Sequence, residues 1–175
     1  MTTTTQQATH NATQQGTRIE ASKDVPTITI TRDFAAPREL VWRAMTEPDL
    51  VVRWMGPRDV RMEITRWDLR RGGSWAYTAK RADGSEDDFE TGFFGSFHDL
   101  RAPERAVQTF TWEGAPDGVS LETLTLEERP DGRTRSVTTS VVESFEIRDM
   151  ILASGMETGV VEGYQKLDEL LAAGL

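Results

Sequence analysis

Trp54, Trp75, Tyr77, Phe93, Phe110, Trp112 and Tyr164 supply the largest stock of usable chemistry in this 175-residue chain. Grouped on one surface, they line an apolar pocket in which two phenol hydroxyls act as polar handles for a hydrophobic or aromatic ligand. Taken singly, each aromatic is better explained as core filling. Acid–base chemistry has thinner material. His98 and Glu143 fall at expected strand ends and Asp149 lies before the last helix, and a displaced pKa at any of them suits a general acid or base. Arg148 and Asp149 read better as fasteners of a short helix through hydrogen bonds or ion pairing. Nucleophilic chemistry has neither a cysteine nor a Gly-x-Ser-x-Gly elbow, and no catalytic residue is assigned.

Composition closes off other chemistries. With no cysteine and only two histidines, His10 and His98, a zinc site of the usual Cys/His kind is excluded and no metal is expected. Gly72-Gly73 and Gly92 sit in strand context without a following helix, so they make no phosphate-binding turn and no cofactor is expected. The net charge of −9 is uneven: residues 53–81 hold eight cationic and three acidic side chains, residues 82–175 seven cationic and twenty acidic. Phosphate contacts need a concentrated basic face, so nucleic acid is not an expected partner. Arg58, Arg61, Arg66, Arg70 and Arg71 cluster locally, but pairing with acidic neighbours across strands is the better reading. The acidic section reads first as a solubilising surface and second as a face that steers a basic partner. There is no basic n-region before an apolar stretch and no apolar run of about 18 residues, so a cytoplasmic location without membrane insertion is expected.

The elements that must position these residues show in period and punctuation. Residues 1–24 are rich in Thr, Gln, Ala and Ser with zero net charge, which predicts a disordered polar tail before one domain over residues 25–175. Thr27-Ile28-Thr29-Ile30-Thr31 alternates and is β-branched, a strand signal. After Pro37, Leu40, Val41, Ala44 and Met45 give helical spacing, and Pro48 opens a second short helix that Gly56-Pro57 ends. A long β region follows: Val60, Met62 and Ile64, then Trp75, Tyr77 and Ala79, then Phe89, Phe93 and Phe97 in phase. Ala82-Asp83-Gly84-Ser85 joins the second and third of these. Phe110 and Trp112 fall on the next strand, and Leu121, Leu124 and Leu126 on another whose phase slips midway, as at a bulge. Val137, Thr139 and Val141 follow the Pro130-Asp131-Gly132 turn. Ser144 caps a short helix over about 144–153, and Ser154-x-x-Glu157 reads as the capping box of a longer one over about 155–172. The order predicts an α+β fold: a curved, mostly antiparallel sheet around a long carboxy-terminal helix.

That helix carries an energetic oddity. Gly155, Gly159 and Gly163 each cost about 1 kcal/mol against alanine in a helix interior. They run beside the buried stripe of Met156, Val160, Tyr164 and Leu167. Either the helix lies unusually close to its neighbours or room is left beneath it for a ligand. In the second case Met156, Gly159, Val160 and Tyr164 form the helix wall, Trp75, Tyr77, Phe93, Phe110 and Trp112 the sheet wall, and Trp54 the mouth.

The run Phe34-Ala35-Ala36-Pro37-Arg38-Glu39-Leu40-Val41-Trp42-Arg43-Ala44-Met45-Thr46 resembles the opening of START-like domains. Trp54-Met55-Gly56-Pro57 is similar to the Trp-x-Gly-Pro turn of one branch of that SRPBCC superfamily, the homologues of the activator of the heat-shock-protein-90 ATPase. Arg148-Asp149-Met150 and Gly155-Met156-Glu157-x-Gly159 match the carboxy-terminal pattern of the same branch, so the resemblance covers about residues 27–172. It implies a helix-grip fold with an apolar cavity between sheet and helix. The implied functions are binding of a hydrophobic or aromatic small molecule or lipid, a cyclase/aromatase-like or hydrolytic enzyme using the same cavity, or a module that modulates a chaperone ATPase. No catalytic residue belongs to the matched motifs, which puts non-enzymatic binding first, in a monomer or homodimer.

Overall fold

The computed structural model of the chain describes residues 11–84 and 89–175. Its elements begin with β1 (Asn11–Gln14), β2 (Thr17–Ala21) and β3 (Thr27–Phe34), followed by α1 (Arg38–Thr46) and α2 (Pro48–Trp54). Then come β4 (Val60–Trp67), β5 (Ser74–Arg81), β6 (Glu90–Arg101), β7 (Arg105–Trp112), β8 (Ser120–Glu128) and β9 (Thr134–Val141). Helices α3 (Phe145–Ala153) and α4 (Met156–Ala172) follow β9. Among the described residues the strands form one curved antiparallel sheet in the order β1-β2-β3-β9-β8-β7-β6-β5-β4. Because β3 pairs with β9 antiparallel, α1 and α3 leave from opposite ends of the pair, and α4 runs back to pack against α1 and α2. This is the α+β helix-grip architecture.

Residues 11–21 correct the expectation of a disordered tail. Gln15 (φ 46°) and Gly16 (φ 82°) form a two-residue turn with both φ values positive, the geometry that suits a tight hairpin. Thr17, Ile19 and Ala21 then alternate inward, with Ile19 opposite Ile30 and Ala21 opposite Ile28. Averaged over 24 residues, so few apolar side chains disappear into a polar composition. Placed at period two, they bury one face of a strand. Residues 1–10 of the expected tail, and Ser85 in the expected loop, lie outside the described residues.

The best-packed core sits where β2, β3 and the far ends of β8 and β9 face α1 and α4. Phe34, Val41 and Leu167 are 0% exposed there. Burial of that kind contributes about 1.5–3 kcal/mol per large side chain. Arg148, also 0% exposed, ties α3 to the β2–β3 connection by donating to the Ser22 carbonyl, and it pairs with Asp149 Oδ1 at 2.7 Å. At the start of α3, Ser144 Oγ accepts from the Ile147 N–H at 3.2 Å.

The glycines of α4 have a different role from the ligand floor expected of them. Gly163 is where the helix passes close to the turn after α2: a Cβ there would stand 3.2 Å from the Trp54 carbonyl oxygen and 3.4 Å from the Gly56 nitrogen. A Cβ on Gly159 would meet Pro57 Cδ at 3.5 Å, so this residue faces the same turn rather than the sheet. Glu162 accepts from the Arg58 N–H at 2.8 Å and Lys166 donates to the Met55 carbonyl at 3.4 Å, securing the contact from both sides. Gly155 lies just outside the helix, at φ 83°, and separates α3 from α4. That left-handed residue displaces the expected capping box, and Ser154 Oγ donates instead to the Ile151 carbonyl at 2.6 Å.

Candidate functional site

Strand register sets the concave face row by row. Ser140 on β9 stands opposite Glu122 on β8, Glu122 opposite Gln108 on β7, and Gln108 opposite Phe97 on β6. The next row holds Ser120 opposite Phe110, and Trp75 opposite Gly95. Beyond it, Trp112 stands opposite Phe93, Phe93 opposite Tyr77, and Tyr77 opposite Ile64. Opposite Cβ atoms in such pairs are about 5 Å apart. A polar strip therefore runs directly beside two aromatic rows.

Trp75, Tyr77, Phe93 and Phe110 form a closed circuit of ring contacts. The Trp75 and Tyr77 rings stack at 5.3 Å and 16°, Tyr77 and Phe93 meet at 5.2 Å, and Phe110 lies 5.5 Å from both Phe93 and Trp75. Gly95 makes the circuit possible, because a Cβ there would fall 2.7 Å from Trp75 Cζ2 and 1.9 Å from the Thr109 carbonyl oxygen. Trp75 is buried, and its indole N–H has no hydrogen-bond partner among the described residues. Phe93 and Phe110 remain half-buried.

Other candidates take different places. Trp54, expected at the mouth, is buried in the core: its indole donates to the Ala44 carbonyl at 2.8 Å and its ring lies 6.0 Å from that of Tyr164. Trp112 is 42% exposed at the rim, where its indole donates to Thr91 Oγ1 at 2.5 Å. Met156 and Val160 are half-buried on the helical stripe that leads to Tyr164. The Tyr164 ring meets Phe34 edge-on at 5.4 Å. Burial pushes its phenol up, and the neighbouring Thr138 hydroxyl pulls it part of the way back. Phe89, expected in phase with Phe93, precedes β6 and lies exposed under the Arg81 guanidinium.

The acid–base candidates do not reach this face. His98 is exposed at the β6 bulge, Glu143 is exposed beyond β9, and Asp149 is engaged by Arg148. The concave face instead contains a carboxyl that sequence reasoning missed. Gln108 Nε2 donates to Glu122 Oε2 at 3.1 Å and Ser140 Oγ donates to Glu122 Oε1 at 3.2 Å. Burial pushes the Glu122 carboxyl up, with those two donors opposing the shift. Tyr77 is pushed up as well, by burial first and then by the Glu122 charge. The overlooked signal was the phase of β8. No bulge occurs in its pairing with β7 or β9; Leu121 faces out at 45% exposure while Glu122, Leu124 and Leu126 share the inner face.

The arginines are spoken for in most cases. Arg58 pairs with Glu169 at 2.6 Å, Arg61 with Glu63 at 2.8 Å, Arg70 with Asp68 at 2.9 Å and Arg71 with Asp99 at 2.7 Å. A separate recess of about 720 Å³ lies between β2, β3 and the C-terminal end of α4. Its charges largely satisfy one another: Arg135 grips both Asp33 oxygens at 2.7 Å, and Arg32 pairs with Asp168 and donates to Thr17 Oγ1 at 2.6 Å. No helix among the described residues is long and apolar enough to cross a membrane.

The family described as activator of Hsp90 ATPase homolog 1-like protein matches residues 35–172. Among solved structures, protein Ms6760 from Mycobacterium smegmatis superposes with a TM-score of 0.77 at 23% identity, covering 93% of this chain and 97% of its own. A protein from Arthrobacter aurescens reaches 0.78 at 25% identity, covering 89% and 91%. CalU16 from Micromonospora echinospora reaches 0.54 at 21% identity, covering 89% and 79%. These likenesses concern the fold. No curated protein sequence matches the chain.

Proposed function

The chain belongs to the family of activator of Hsp90 ATPase homolog 1-like proteins, and on that premise we propose that it binds a hydrophobic or aromatic small molecule between α4 and the β5–β9 part of the sheet. The observation that carries this reading is the uneven packing of the concave face. Phe93, Phe110, Leu124, Met156 and Val160 belong to the interior by register or helical stripe, yet each stays half-buried. Glu122 keeps part of its surface reachable while burial still governs its acidity. That combination suits a side chain lining a hollow, and apolar hollows with a few polar groups are the usual setting of small-molecule sites.

Titrating 2-naphthol into ¹⁵N-labelled protein tests the reading. Saturable amide shifts are expected on β6, β7 and the Met156–Tyr164 stretch of α4. Shifts confined to the outer face, or none up to about millimolar probe, which corresponds to roughly −4 kcal/mol, would overturn it. In that event, stimulation of a purified Hsp90 ATPase by the protein would favour the chaperone-cofactor reading that the family's description admits.

A further inference from the structure

We propose that the hollow selects an aromatic ligand carrying a hydroxyl, and that this hydroxyl docks on Glu122 between Gln108 and Ser140. The inference rests on the binding reading above and names the chemistry of its ligand. Position 122 lies in line with Leu124 and Leu126 on the inner face of β8, where a packed wall would continue with another aliphatic side chain. A carboxyl there costs desolvation, and nothing cationic offsets it among the described residues. The other interior charges are treated differently: Arg32 has Asp168, and Arg148 has Asp149.

The hydrogen bonding of Glu122 leaves capacity for a ligand. Gln108 and Ser140 approach different oxygens of the carboxyl, each filling one acceptor site, so each oxygen retains another. The unpartnered Trp75 indole N–H adds a spare donor to the same face. The ring circuit of Trp75, Tyr77, Phe93 and Phe110 supplies a flat apolar wall one row away. A ligand matched to both parts has an aromatic body and a hydrogen-bond donor at its edge. A neutral hydroxyl suits the position better than an ammonium group. It can donate to the carboxylate or to the carbonyl oxygen of the protonated acid, whereas an ammonium needs the charged form that burial disfavours.

The test uses the whole protein and three probes with nearly the same body: naphthalene, 2-naphthol and 2-methoxynaphthalene, the last with the oxygen but no donor. The wild-type protein is expected to bind 2-naphthol about tenfold more tightly than naphthalene, the scale of one hydrogen bond to a charged or strongly polar acceptor. The methoxy compound should behave like naphthalene. In Glu122→Leu the ratio of 2-naphthol to naphthalene affinity should fall to about twofold or less, and Glu122→Gln, which keeps an acceptor oxygen, should retain an intermediate ratio. Equal binding of 2-naphthol and naphthalene by the wild type, naphthol-like binding of the methoxy compound, or a preference that survives Glu122→Leu overturns the anchor and leaves the hollow standing. The wild-type comparison decides the matter even if a variant fails to fold. Failure of all three probes to bind removes the hollow and the anchor together.

Discussion

The concave face has two halves that obey the same strand alternation and are packed to different ends. Around Phe34 and Leu167, side chains from β3, α1 and α4 close on one another until no surface is left. Around Glu122, Phe93 and Phe110 the same face keeps large apolar side chains half-buried, and Met156 and Val160 on the α4 stripe are half-buried as well. The charges differ in the same sense. In the closed half Arg32 meets Asp168, whereas in the open half Glu122 meets, among the described residues, only an amide and a hydroxyl. A helix held firmly by its C-terminal turns and by the Trp54–Pro57 turn needs no support from the sheet beneath its first turns. Stability and accessibility can therefore occupy one sheet without competing.

The largest expected effect tests that division directly. Leu167→Ala, in the closed half, should lower unfolding free energy by about 2–5 kcal/mol, the range for emptying a well-packed site. Phe110→Ala removes a bigger side chain but from a half-buried position, and should cost only about 1–2 kcal/mol while weakening 2-naphthol binding. Urea unfolding of both variants checks the first difference and the probe titration checks the second. Equal stability losses would mean that both halves are packed alike, and the comparison would fail.

A smaller effect follows from the two carboxylates. Glu122 has its pKa raised by burial, so the stability it contributes is complete below its ordinary value of about 4.5 and is lost as pH rises through the higher native value. Replacing it by glutamine should therefore be nearly neutral at pH 4 and stabilising by about 1 kcal/mol at pH 8, where a buried charge no longer has to be held. Asp33 is the counterpart with the opposite sign. The Arg135 side-chain hydrogen bond holds its carboxyl below the usual range, so its contribution is present above about pH 3.8 and disappears as pH falls. Asp33→Asn should destabilise at pH 7 by no more than about 1 kcal/mol, because the pair is partly solvated. Thermal unfolding of Glu122→Gln at pH 4 and pH 8, and of Asp33→Asn at pH 7 and pH 2, would show the two signs. A Glu122→Gln gain that fails to grow with pH would mean that the carboxyl is not effectively buried.

The difference between the halves also explains what could be read from sequence. Trp75, Tyr77, Phe93 and Phe110 sit where strand alternation obliges them to, so local period was enough to group them. Glu122 obeys the same alternation but violates its polarity rule. An inward carboxyl looked like a slip of phase at Leu121, and the site's most informative residue was hidden by its being an exception. The β1–β2 hairpin escapes composition for a related reason: its inward residues are too sparse to register against a polar background. The partner of the α4 glycines lies about a hundred residues earlier in the chain, and no local period can reveal it. Gly159 runs beside the buried stripe of α4, which puts it on a ligand wall by helical period, whereas the turn it faces belongs to the motif Trp54–Pro57.

The smallest effects sharpen the comparison at that boundary. At Gly159 an alanine Cβ would make ordinary contact with Pro57 Cδ at 3.5 Å, and it would remove a helix-interior penalty of about 1 kcal/mol. Gly159→Ala should therefore stabilise the protein by about 0.5–1 kcal/mol, and it should leave 2-naphthol affinity unchanged because the methyl group points away from the sheet. At Gly163 the same gain in propensity is opposed by a Cβ 3.2 Å from the Trp54 carbonyl oxygen, an atom of the backbone turn that cannot swing aside. Gly163→Ala should thus be neutral or destabilising by up to about 1 kcal/mol, the propensity gain being consumed in prising α4 from the turn. Chemical denaturation of the two variants, with a probe titration on each, gives both readouts. If Gly159→Ala lowered probe affinity, residue 159 would belong to the open half after all, and the helix would be oriented by its ligand wall rather than by the turn it rests on.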